Sequence, residues 1–349
     1  MNYYDKALDF TNLLSALRRC CRNVRWKDSV VNYEHNAILN TYKLRQELIK
    51  GNYQLRPYQR FSIHEPKERE IVATRLRDRQ IQMSLCMAGL YTDITEHFTA
   101  DNCACQIGRG TDYALNRIKR HLMRYYRENG AEGYVLKCDI QHFFPSTPHS
   151  VAKAAIRKRV SDKRAADYAC MVIDSFGTDG VGMGLGSQIS QLVELAVLDD
   201  LDHYIKEQMH IKYYVRYMDD FLLIHKSKEY LRKCWMRIAE ELHKIGLQLN
   251  RKTCIYKLSQ GVTFLRWRFL LKTTGRVLML LDKIKTGKQR RKIKKMLRKE
   301  ASGEFYKGTA AKSTECWLSN AAKGHTGRIR RRMKMFFEKE EAKWTLSPN

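Results

Sequence analysis

The 349-residue chain is long enough for two or more packed subdomains, and its hydrophobic content of 44% is sufficient to bury a core. Lysine and arginine outnumber aspartate and glutamate by 65 to 37, which gives a net charge of +28 at pH 7. Such a cationic excess predicts a polyanionic partner, with nucleic acid first and an anionic membrane surface second. No apolar run approaches the length of a membrane span and the first residues lack the apolar core of a signal peptide, so we expect a cytoplasmic protein that does not enter the membrane.

The ten cysteines do not follow the pattern of a zinc site or of a disulfide framework. They are scattered along the chain, no Cys-x-x-Cys pair occurs, and Cys103-Ala104-Cys105 has no matching pair elsewhere. Reduced thiols that act as small apolar side chains account for them better.

Residues 1–50 are predicted to be helical, because apolar residues recur at helical spacing in 13–17 and 38–44. A cationic run between these segments, residues 18–25, either faces nucleic acid or is a solvated helix face. Gly51 supplies the turn that ends the last of these helices.

A strand, a polar turn and a second strand follow, in residues 58–64, 65–70 and 71–73. Lys67 and Arg69 lie in the turn, where a lysine point charge and an arginine fork suit the phosphate groups of a triphosphate. An exposed charged turn without a ligand is the alternative interpretation.

The middle of the chain alternates helices with one buried strand. Residues 134–139 are predicted to form that strand, which ends in Asp139 and leads to the aromatic residues Phe143 and Phe144. The other segments predicted here are a helix through residue 90, a basic helix from 114 to 127, a helix from 150 to 175, a glycine-dense segment from 177 to 191 and an apolar helix from 192 to 201.

Residues 212–225 are predicted to be a β-hairpin of β-branched and aromatic residues, with Asp219 and Asp220 at its turn. Adjacent carboxylates have little use in a strand, since charged side chains are almost never fully buried unless they are paired. They suit a divalent cation, because Mg²⁺ prefers oxygen ligands and is usually held by one or two carboxylates together with substrate phosphates. A hairpin whose aspartates only make the turn is the alternative, and the second acidic strand end at Asp139 argues against it.

The last part of the chain is predicted to contain a helix over residues 230–245 and short strands in 247–250 and 262–269. Residues 283–299 and 328–343 are strongly cationic and carry an apolar stripe. They fit a small helical domain that rests on a nucleic-acid backbone, and a solvated charged face is the weaker alternative.

Asp139, Asp219 and Asp220 are expected to meet on neighbouring strands. Three carboxylates in that arrangement hold two Mg²⁺ ions about 3.5–4 Å apart, which clamps the attacking and leaving oxygens of nucleotidyl transfer. Ile140, directly after the first aspartate, would contribute only its backbone carbonyl to a metal.

In these motifs the sequence resembles a reverse transcriptase. Tyr217-Met218-Asp219-Asp220 is similar to the family's signature turn, and Asp139 followed by Phe144 is similar to its first catalytic motif. The resemblance runs in order from about residue 46 to 269, and more loosely through 317–325. It implies an α+β right-hand polymerase with fingers, an antiparallel-sheet palm and a helical thumb.

The resemblance implies that fingers and palm occupy residues 1–275 and that a basic helical thumb occupies residues 276–349. It also implies RNA-directed DNA synthesis with Mg²⁺ or Mn²⁺ as cofactor. The expected partners are an RNA template, a DNA or RNA primer and dNTPs.

Site residues follow from the same resemblance. The catalytic residues would be Asp139, Asp219, Asp220 and Lys252, the last as a proton donor to pyrophosphate, and the metal ligands Asp139, Ile140, Asp219 and Asp220. The dNTP would contact Lys67, Arg69, Gln191 and Phe144, whose ring would exclude a ribose 2′-hydroxyl. Template or primer would contact Leu185, Gly186, Ser190, Tyr217, Met218 and Trp267.

The segment from Leu185 to Gln191 is similar to the Ile-Gly-x-x-x-Ser-Gln pattern of reverse transcriptases from diversity-generating retroelements. Such enzymes copy a template-repeat RNA, misincorporate opposite adenine and work with a basic accessory protein, so a structured non-coding RNA and a small accessory protein are further expected partners. Leu185 in place of isoleucine and Arg266 in place of glycine depart from the pattern. Defence-associated bacterial reverse transcriptases are the nearest alternative, and a non-catalytic RNA-binding protein related to intron maturases is the alternative from another class.

Overall fold

The computed structural model describes residues 2–64, 68–281 and 283–345. The helices are α1 (Tyr3–Ala7), α2 (Phe10–Cys20), α3 (Asp28–His35), α4 (Ala37–Ile49), α5 (Leu76–Leu85), α6 (Tyr91–Thr95), α7 (Thr111–Asn129), α8 (Phe143–Ser146), α9 (His149–Arg159), α10 (Lys163–Asp174), α11 (Gln188–Val197), α12 (Asp199–His203), α13 (Lys228–Lys244), α14 (Lys283–Ala301), α15 (Thr309–Ala321) and α16 (Gly327–Thr345). The strands are β1 (Gln59–Ile63), β2 (Arg69–Ala73), β3 (Tyr134–Asp139), β4 (Tyr213–Tyr217), β5 (Asp220–His225), β6 (Cys254–Lys257), β7 (Val262–Phe264), β8 (Trp267–Leu271) and β9 (Val277–Leu281).

These strands form three sheets. The hairpin of β1 and β2 is antiparallel, with Gln59 opposite Ala73 and Ile63 opposite Arg69. A four-stranded sheet has the order β4-β5-β3-β6, and β7, β8 and β9 form an antiparallel three-stranded sheet. Helices combined with antiparallel sheets confirm the predicted α+β class.

Most of the predicted elements are present, including the helical first 50 residues, the strand that ends at Asp139 and the hairpin around Asp219 and Asp220. Some predictions were wrong in detail. Residues 262–269, expected as one short strand, form the antiparallel strands β7 and β8 with a turn at 265 and 266 between them. The helix expected over 150–175 is broken, because the Asp162 side chain accepts hydrogen bonds from the first turn of α10 and starts a new helix there.

Two further corrections concern a segment that the sequence predicts to be a loop and a segment that it predicts to be a strand. Helix α11 begins at Gln188, where Ser187 caps it, so the end of the glycine-dense segment is helical. Residues 247–250 form no strand; Leu249 makes a single bridge to Ile140.

The chain divides into two compact units. The first contains the described residues up to 114 together with 136–223 and 229–254, and the second contains 115–135, 224–228 and the described residues from 255 onward. The domain boundary predicted between residues 275 and 276 stays a prediction.

Helix α11 lies in the core of the first unit. Eight of its ten residues are buried, and Ile189, Leu192, Val193 and Leu195 are among them. A helix that is apolar nearly all round is expected in the interior rather than on the surface. The helix therefore provides a fixed support for the strands that follow it in the chain.

A buried aspartate organises the segment before α5. Asp78 is fully buried and accepts hydrogen bonds from the Tyr53 hydroxyl at 2.7 Å, from the Arg77 guanidinium at 2.9 Å and from the Arg56 backbone N–H at 3.1 Å. These donors satisfy the carboxylate, as a charged group removed from water requires. The strands β1 and β2 lie between Arg56 and Arg77 in the chain, so this network anchors both ends of that hairpin.

In the second unit, α14, α15 and α16 pack around Ile293, Leu297, Ala310 and Met333. Arg290 and Lys294 lie over the ring of Phe336, at 5.0 Å and 5.8 Å from its centroid. The apolar stripes predicted from the sequence thus face one another, and the cations remain at the outside of the bundle. None of the helices in the described ranges combines the length and apolar character that a membrane span requires.

Two glycines of the second unit provide a matched test of this packing. A Cβ at Gly324 would contact the Trp267 ring and lie 2.6 Å from the Met279 carbonyl oxygen, whereas a Cβ at Gly287 within α14 would have nothing within 4 Å. We expect Gly324→Ala to destabilise the protein by about 1–3 kcal/mol through overpacking. Gly287→Ala should stabilise it by about 1 kcal/mol through helix propensity.

Thermal and denaturant unfolding of the two alanine variants measures both effects. Equal changes in stability for the two variants would contradict the packing described around Trp267 and Met279.

Candidate active site

Two strand ends bring the predicted carboxylates together. Strand β3 ends at Asp139, and it is a neighbour of β5, which begins at Asp220 directly after the turn. The Ile140 N–H donates to the Asp219 carbonyl oxygen at 3.3 Å, and the Asn250 N–H donates to the Asp139 carbonyl oxygen at 2.7 Å. Backbone hydrogen bonds therefore hold the segment around Asp139 and the turn at Asp219 in fixed positions.

The aspartate turn, residues 217–220, is held by its flanking strands. Residues 213–216 and 221–224 are buried, while the four turn residues are half-buried. Met218 has a φ of 57°, in the left-handed region that few non-glycine residues adopt. The Tyr217 hydroxyl lies 3.5 Å from Thr111 Oγ1, and Met218 Sδ lies 3.8 Å from Cys105 Sγ.

The Asp220 carboxyl group is strongly perturbed by its surroundings. Its pKa is raised to about 6, mainly by burial; Lys137 opposes the shift, and the charges of Asp139 and Asp219 add to it. The Lys137 Nζ lies 3.7 Å from Asp220 Oδ1, which is an ion pair longer than a hydrogen bond, and that oxygen is buried without a hydrogen-bond partner. A carboxylate in this condition gains from an additional cation.

Within the described residues, no three carboxylate, imidazole or thiol side chains lie close enough to enclose a metal ion. The chemistry of the donor set nevertheless fits a divalent cation. The charges of Asp139 and Asp219 raise the pKa of Asp220, and one oxygen of Asp220 has no hydrogen bond. Hard oxygen ligands of this kind are the ones that Mg²⁺ and Mn²⁺ prefer.

Glu194 is a buried acid near this group that the sequence did not reveal. It lies on α11, is fully buried, and accepts a hydrogen bond from Thr147 Oγ1 at 3.0 Å through Oε2. Its other carboxyl oxygen has no partner. Burial raises its pKa well above the ordinary value, the bond from Thr147 opposes that shift, and the charge of Asp219 adds to it.

Phe144 follows the first aspartate and lies in α8. Its ring meets the buried ring of Phe143 edge-on with the centroids 5.8 Å apart, and its carbonyl oxygen accepts a hydrogen bond from the Met183 N–H at 2.7 Å. The half-buried side chain is therefore fixed through both its backbone and its neighbouring ring.

Leu185 and Gly186 are attached to β2. The Val72 N–H donates to the Leu185 carbonyl oxygen at 2.8 Å. Gly186 has a φ of 122°, and a Cβ there would lie 3.0 Å from the Val72 carbonyl oxygen, so only glycine fits this approach without strain. Leu185 itself is half-buried.

Ser190 and Gln191 lie in the first turn of α11. Ser190 is fully buried and its hydroxyl has no hydrogen-bond partner, so a direct contact with a template would require this helix to move. Gln191 is half-buried and lines a cavity of about 190 Å³. Ser187 Oγ donates to Gln82 Oε1 at 3.2 Å at the same cavity, whose remaining lining residues are Cys20, Arg79, Met83, Gly186 and Gln188.

The other predicted site residues lie in separate segments of the chain. Arg69 is exposed at the first position of β2, and Lys67 lies outside the described residues. Lys252 is exposed on a turn, where its N–H donates to Asn250 Oδ1 at 3.1 Å. Trp267 is only 2% exposed, so its ring stabilises the second unit and is not accessible to a primer as the strand stands.

Two further charged residues, Arg216 and Asp202, lie directly behind the aspartate turn. Both are fully buried, and they form a bidentate ion pair. An arginine inside an otherwise apolar strand is a signal for such a pair, since a charge is rarely buried without a partner. The sequence offers no comparable signal for Asp202, which precedes it in an acidic stretch.

The buried Glu194 predicts a pH dependence of stability. Below its ordinary pKa of 4.5, both folded and unfolded states carry the proton. As pH rises, only the unfolded state releases it, so the free energy of unfolding falls until pH passes the raised pKa of the folded state. Glu194→Gln removes this loss of stability. As pH rises, we expect the free energy of unfolding of the variant to increase relative to that of wild type by up to about 1.4 kcal/mol per pH unit.

Denaturant unfolding between about pH 5 and pH 8 in metal-free buffer measures the difference. A constant difference between the two proteins over that range would mean that Glu194 is ionised in the folded state.

The family described as reverse transcriptase (RNA-dependent DNA polymerase) matches residues 69–269. Protein YkfC of Escherichia coli (strain K12) is 25% identical over 273 residues, which cover 66% of this chain and 71% of that protein.

Solved structures of telomerases share the fold. Apo telomerase from Candida tropicalis truncated from its C-terminal domain has a TM-score of 0.50 at 15% identity, with 70% of this chain and 60% of that chain covered. Telomerase from Candida albicans in complex with a TWJ fragment of telomeric RNA has a TM-score of 0.53 at 13% identity, with 84% of this chain and 55% of that chain covered. The chain thus spans just over half the length of these telomerases, and the likeness shows a right-hand polymerase fold.

The family match covers more than half of the chain, and it includes all three aspartates of the site. The chain therefore belongs to the reverse transcriptase family, whose members are RNA-directed DNA polymerases and hence nucleotidyltransferases.

Proposed function

We propose that this chain copies an RNA template into DNA by two-metal nucleotidyl transfer at Asp139, Asp219 and Asp220. The observation that carries the proposal is the group of three mutually repelling carboxylates at neighbouring strand ends, in a chain of the reverse transcriptase family. Mg²⁺ or Mn²⁺ bound there would lower the pKa of a primer 3′-hydroxyl and neutralise the charge of the triphosphate.

The chain's own residues would hold and orient the reactants. The Ile140 N–H is already bonded to Asp219, which leaves the Ile140 carbonyl as a ligand beside the three carboxylates. Phe144, fixed against Phe143, is placed in this proposal against the sugar of the dNTP, where its ring would exclude a 2′-hydroxyl. Lys252 is exposed, and its ammonium group is carried on a flexible stem. In this proposal it gives a proton to the leaving pyrophosphate.

The triphosphate would be bound by cations of the β1–β2 hairpin. Arg69 is exposed at the start of β2, and the bidentate guanidinium matches the geometry of phosphate oxygens. Lys67 is assigned to the same role by the resemblance of its segment to the family's fingers. Gln191, at the nearby cavity, is assigned to the dNTP or to the nascent base pair.

Contacts with the nucleic-acid backbone are assigned to the cationic helices of the second unit. Contacts with the template or the primer terminus are assigned separately to residues of the first unit. Arg291, Lys292, Lys295 and Arg298 are exposed on α14, where they offer a row of positive charge to phosphates. Leu185, Gly186, Tyr217 and Met218 are assigned to the template or to the primer terminus. These assignments rest on the family's motifs and on the exposure of the residues.

The carboxylates provide the first test. We expect Asp139→Ala, Asp219→Ala and the Asp219/Asp220 double alanine to reduce primer extension on RNA on the order of 1000-fold or more, because each removes a ligand of the metal. Asp200→Ala is the matched control, since Asp200 is exposed and its 2.8 Å ion pair with Lys158 lies at the surface. It should retain full activity.

Steady-state extension of a DNA primer on an RNA template, with and without Mg²⁺ or Mn²⁺, measures the result. Extension by the double alanine would contradict the two-metal assignment. A wild-type chain that binds RNA but extends no primer would support the maturase-like alternative.

The second test concerns nucleic-acid binding by α14. Replacing Arg291, Lys292, Lys295 and Arg298 with glutamine should weaken binding of an RNA/DNA template-primer. The slope of log affinity against log salt should fall by up to about 3, because each phosphate contact contributes about 0.7–0.9 to it.

The control removes the same charge from α13, through glutamine at Arg232, Lys233, Arg237 and Lys244, which are exposed there. Fluorescence anisotropy at several salt concentrations measures both proteins. Equal slopes for the two variants would mean that α14 makes no special contact with the nucleic acid.

At a finer level we infer that the enzyme serves a diversity-generating retroelement and copies inaccurately at template adenines. The similarity of Leu185-Gly186 and Ser190-Gln191 to the motif of that group supports this. A structured RNA template and a small accessory protein would be the partners. An anti-phage defence polymerase is the competing role.

Sequencing of cDNA made on an RNA of mixed sequence separates these roles. We expect errors to be concentrated at template adenines, Leu185→Ala to change that error rate, and Leu185→Ile to leave it nearly unchanged because the branched bulk is kept. Uniformly low error at all four bases would favour the defence role. An unchanged error pattern in Leu185→Ala would overturn only the assignment of Leu185.

A further inference from the structure

Behind the aspartate turn lies a fully buried ion pair. The guanidinium of Arg216 on β4 donates from Nε to Asp202 Oδ1 at 2.7 Å and from Nη2 to Asp202 Oδ2 at 2.5 Å. The Tyr214 hydroxyl donates to the same Asp202 Oδ1 at 2.6 Å. Both charged side chains are 0% exposed, so the pair is completely desolvated.

The Arg216 fork has further hydrogen bonds that reach beyond Asp202. Nη2 donates to the Leu195 carbonyl oxygen at 3.3 Å, and Nη1 donates to the Met218 carbonyl oxygen at 3.2 Å. Leu195 lies on the buried helix α11 and Asp202 lies on α12, so two helices fix the guanidinium and the guanidinium fixes the turn. A planar fork with several donors transmits this geometry, whereas a lysine ammonium on a flexible stem does not.

Met218 needs such support. Its left-handed φ of 57° orients its carbonyl oxygen toward Arg216, and the same peptide unit supplies the N–H of Asp219. Replacing a buried ion pair with apolar residues often leaves stability unchanged or improved, so burial of this pair is poorly explained as a source of stability alone. Because Arg216 also donates to the Met218 carbonyl oxygen, the pair is better explained as a device that sets the conformation of the aspartate turn.

We propose that Asp202 and Arg216 are a positioning pair that sets the conformation of the aspartate turn and thereby the metal affinity of Asp219 and Asp220. Neither residue touches substrate; Arg216 acts through the Met218 carbonyl. The inference rests on the proposed metal-dependent polymerase function. It adds that the site's metal affinity is controlled by a buried aspartate on α12.

The structure offers a matched control for this pair. Arg159 on α9 and Asp199 on α12 form a second ion pair, with Nη2–Oδ2 at 2.9 Å and side chains only 5% and 4% exposed. None of the hydrogen bonds seen for Arg159 in the described residues reaches the aspartate turn; they go to Ala155, Asp199 and Asp200. Arg216→Lys and Arg159→Lys therefore weaken similar buried pairs, and only the first changes the bond to Met218.

The test measures Mn²⁺ binding to the two lysine variants by electron paramagnetic resonance, and separately their primer extension. We expect similar falls in melting temperature for both variants. Only Arg216→Lys should weaken Mn²⁺ binding and lower kcat, each by about tenfold, as loss of a residue that orients a metal ligand commonly does. The KM for dNTP should change by less than about twofold, since the triphosphate contacts are left in place.

The metal-binding measurement separates this inference from the proposed function. If wild type binds Mn²⁺ but makes no cDNA, the proposed function fails, while a selective loss of Mn²⁺ binding in Arg216→Lys still supports the positioning pair. Equal Mn²⁺ affinity in the two lysine variants overturns it.

Should Arg216→Lys fail to fold, Asp202→Asn replaces it, because the amide keeps the shape of the carboxylate and weakens its hold on the guanidinium. A loss of Mn²⁺ affinity in Asp202→Asn relative to Arg159→Lys supports the proposal. Wild-type affinity in a folded Asp202→Asn protein overturns it.

Discussion

Repulsion among three carboxylates is the constraint on which the site depends. Asp139, Asp219 and Asp220 are kept at neighbouring strand ends by backbone hydrogen bonds, so they cannot move apart to lower their electrostatic energy. Burial adds to the cost, as the raised pKa of Asp220 shows, and Lys137 compensates only in part. Protein interiors tolerate such an arrangement where a cation or substrate completes it.

The support for these carboxylates comes from buried polar groups rather than from the apolar core alone. Arg216 and Asp202 lie behind the turn. Glu194 of α11 is also buried and accepts a hydrogen bond from Thr147. Asp202 and Arg216 hold each other and the Met218 carbonyl oxygen through several hydrogen bonds, so an alternative conformation would leave donors or acceptors of this pair unsatisfied. The geometry of the aspartate turn is therefore specified by hydrogen bonds as well as by packing.

Sequence patterns predicted what depends on neighbouring residues along the chain. The hairpin around Asp219, the strand that ends at Asp139 and the cationic helices of the second unit each have a local signature of period or composition. Patterns did not predict features that depend on distant partners. Glu194 is buried because Thr147 and the core surround it, and Trp267 is covered because Gly324 leaves room for its ring.

The sequence patterns also failed to predict where some helices begin, because these boundaries depend on tertiary packing as well. Ser187 and Asp162 each cap a helix, but their sequence surroundings favour a loop and a continuous helix respectively. Whether a serine or aspartate starts a helix depends on the direction in which the chain leaves the preceding element, and tertiary packing sets that direction. The predicted contacts of Ser190 were affected in the same way, because its position in a buried helix turn hides the hydroxyl.

The bond between Leu185 and Val72 has a consequence for how this protein can change over evolutionary time. It joins backbone atoms only, so any side chain at position 185 preserves it, while Gly186 beside it tolerates no substitution. A change of side chain at position 185 therefore leaves this part of the main-chain path in place, whereas a side chain at position 186 would strain it. Residue 185 can thus differ between related sequences while the backbone hydrogen bond that joins the loop to β2 is kept.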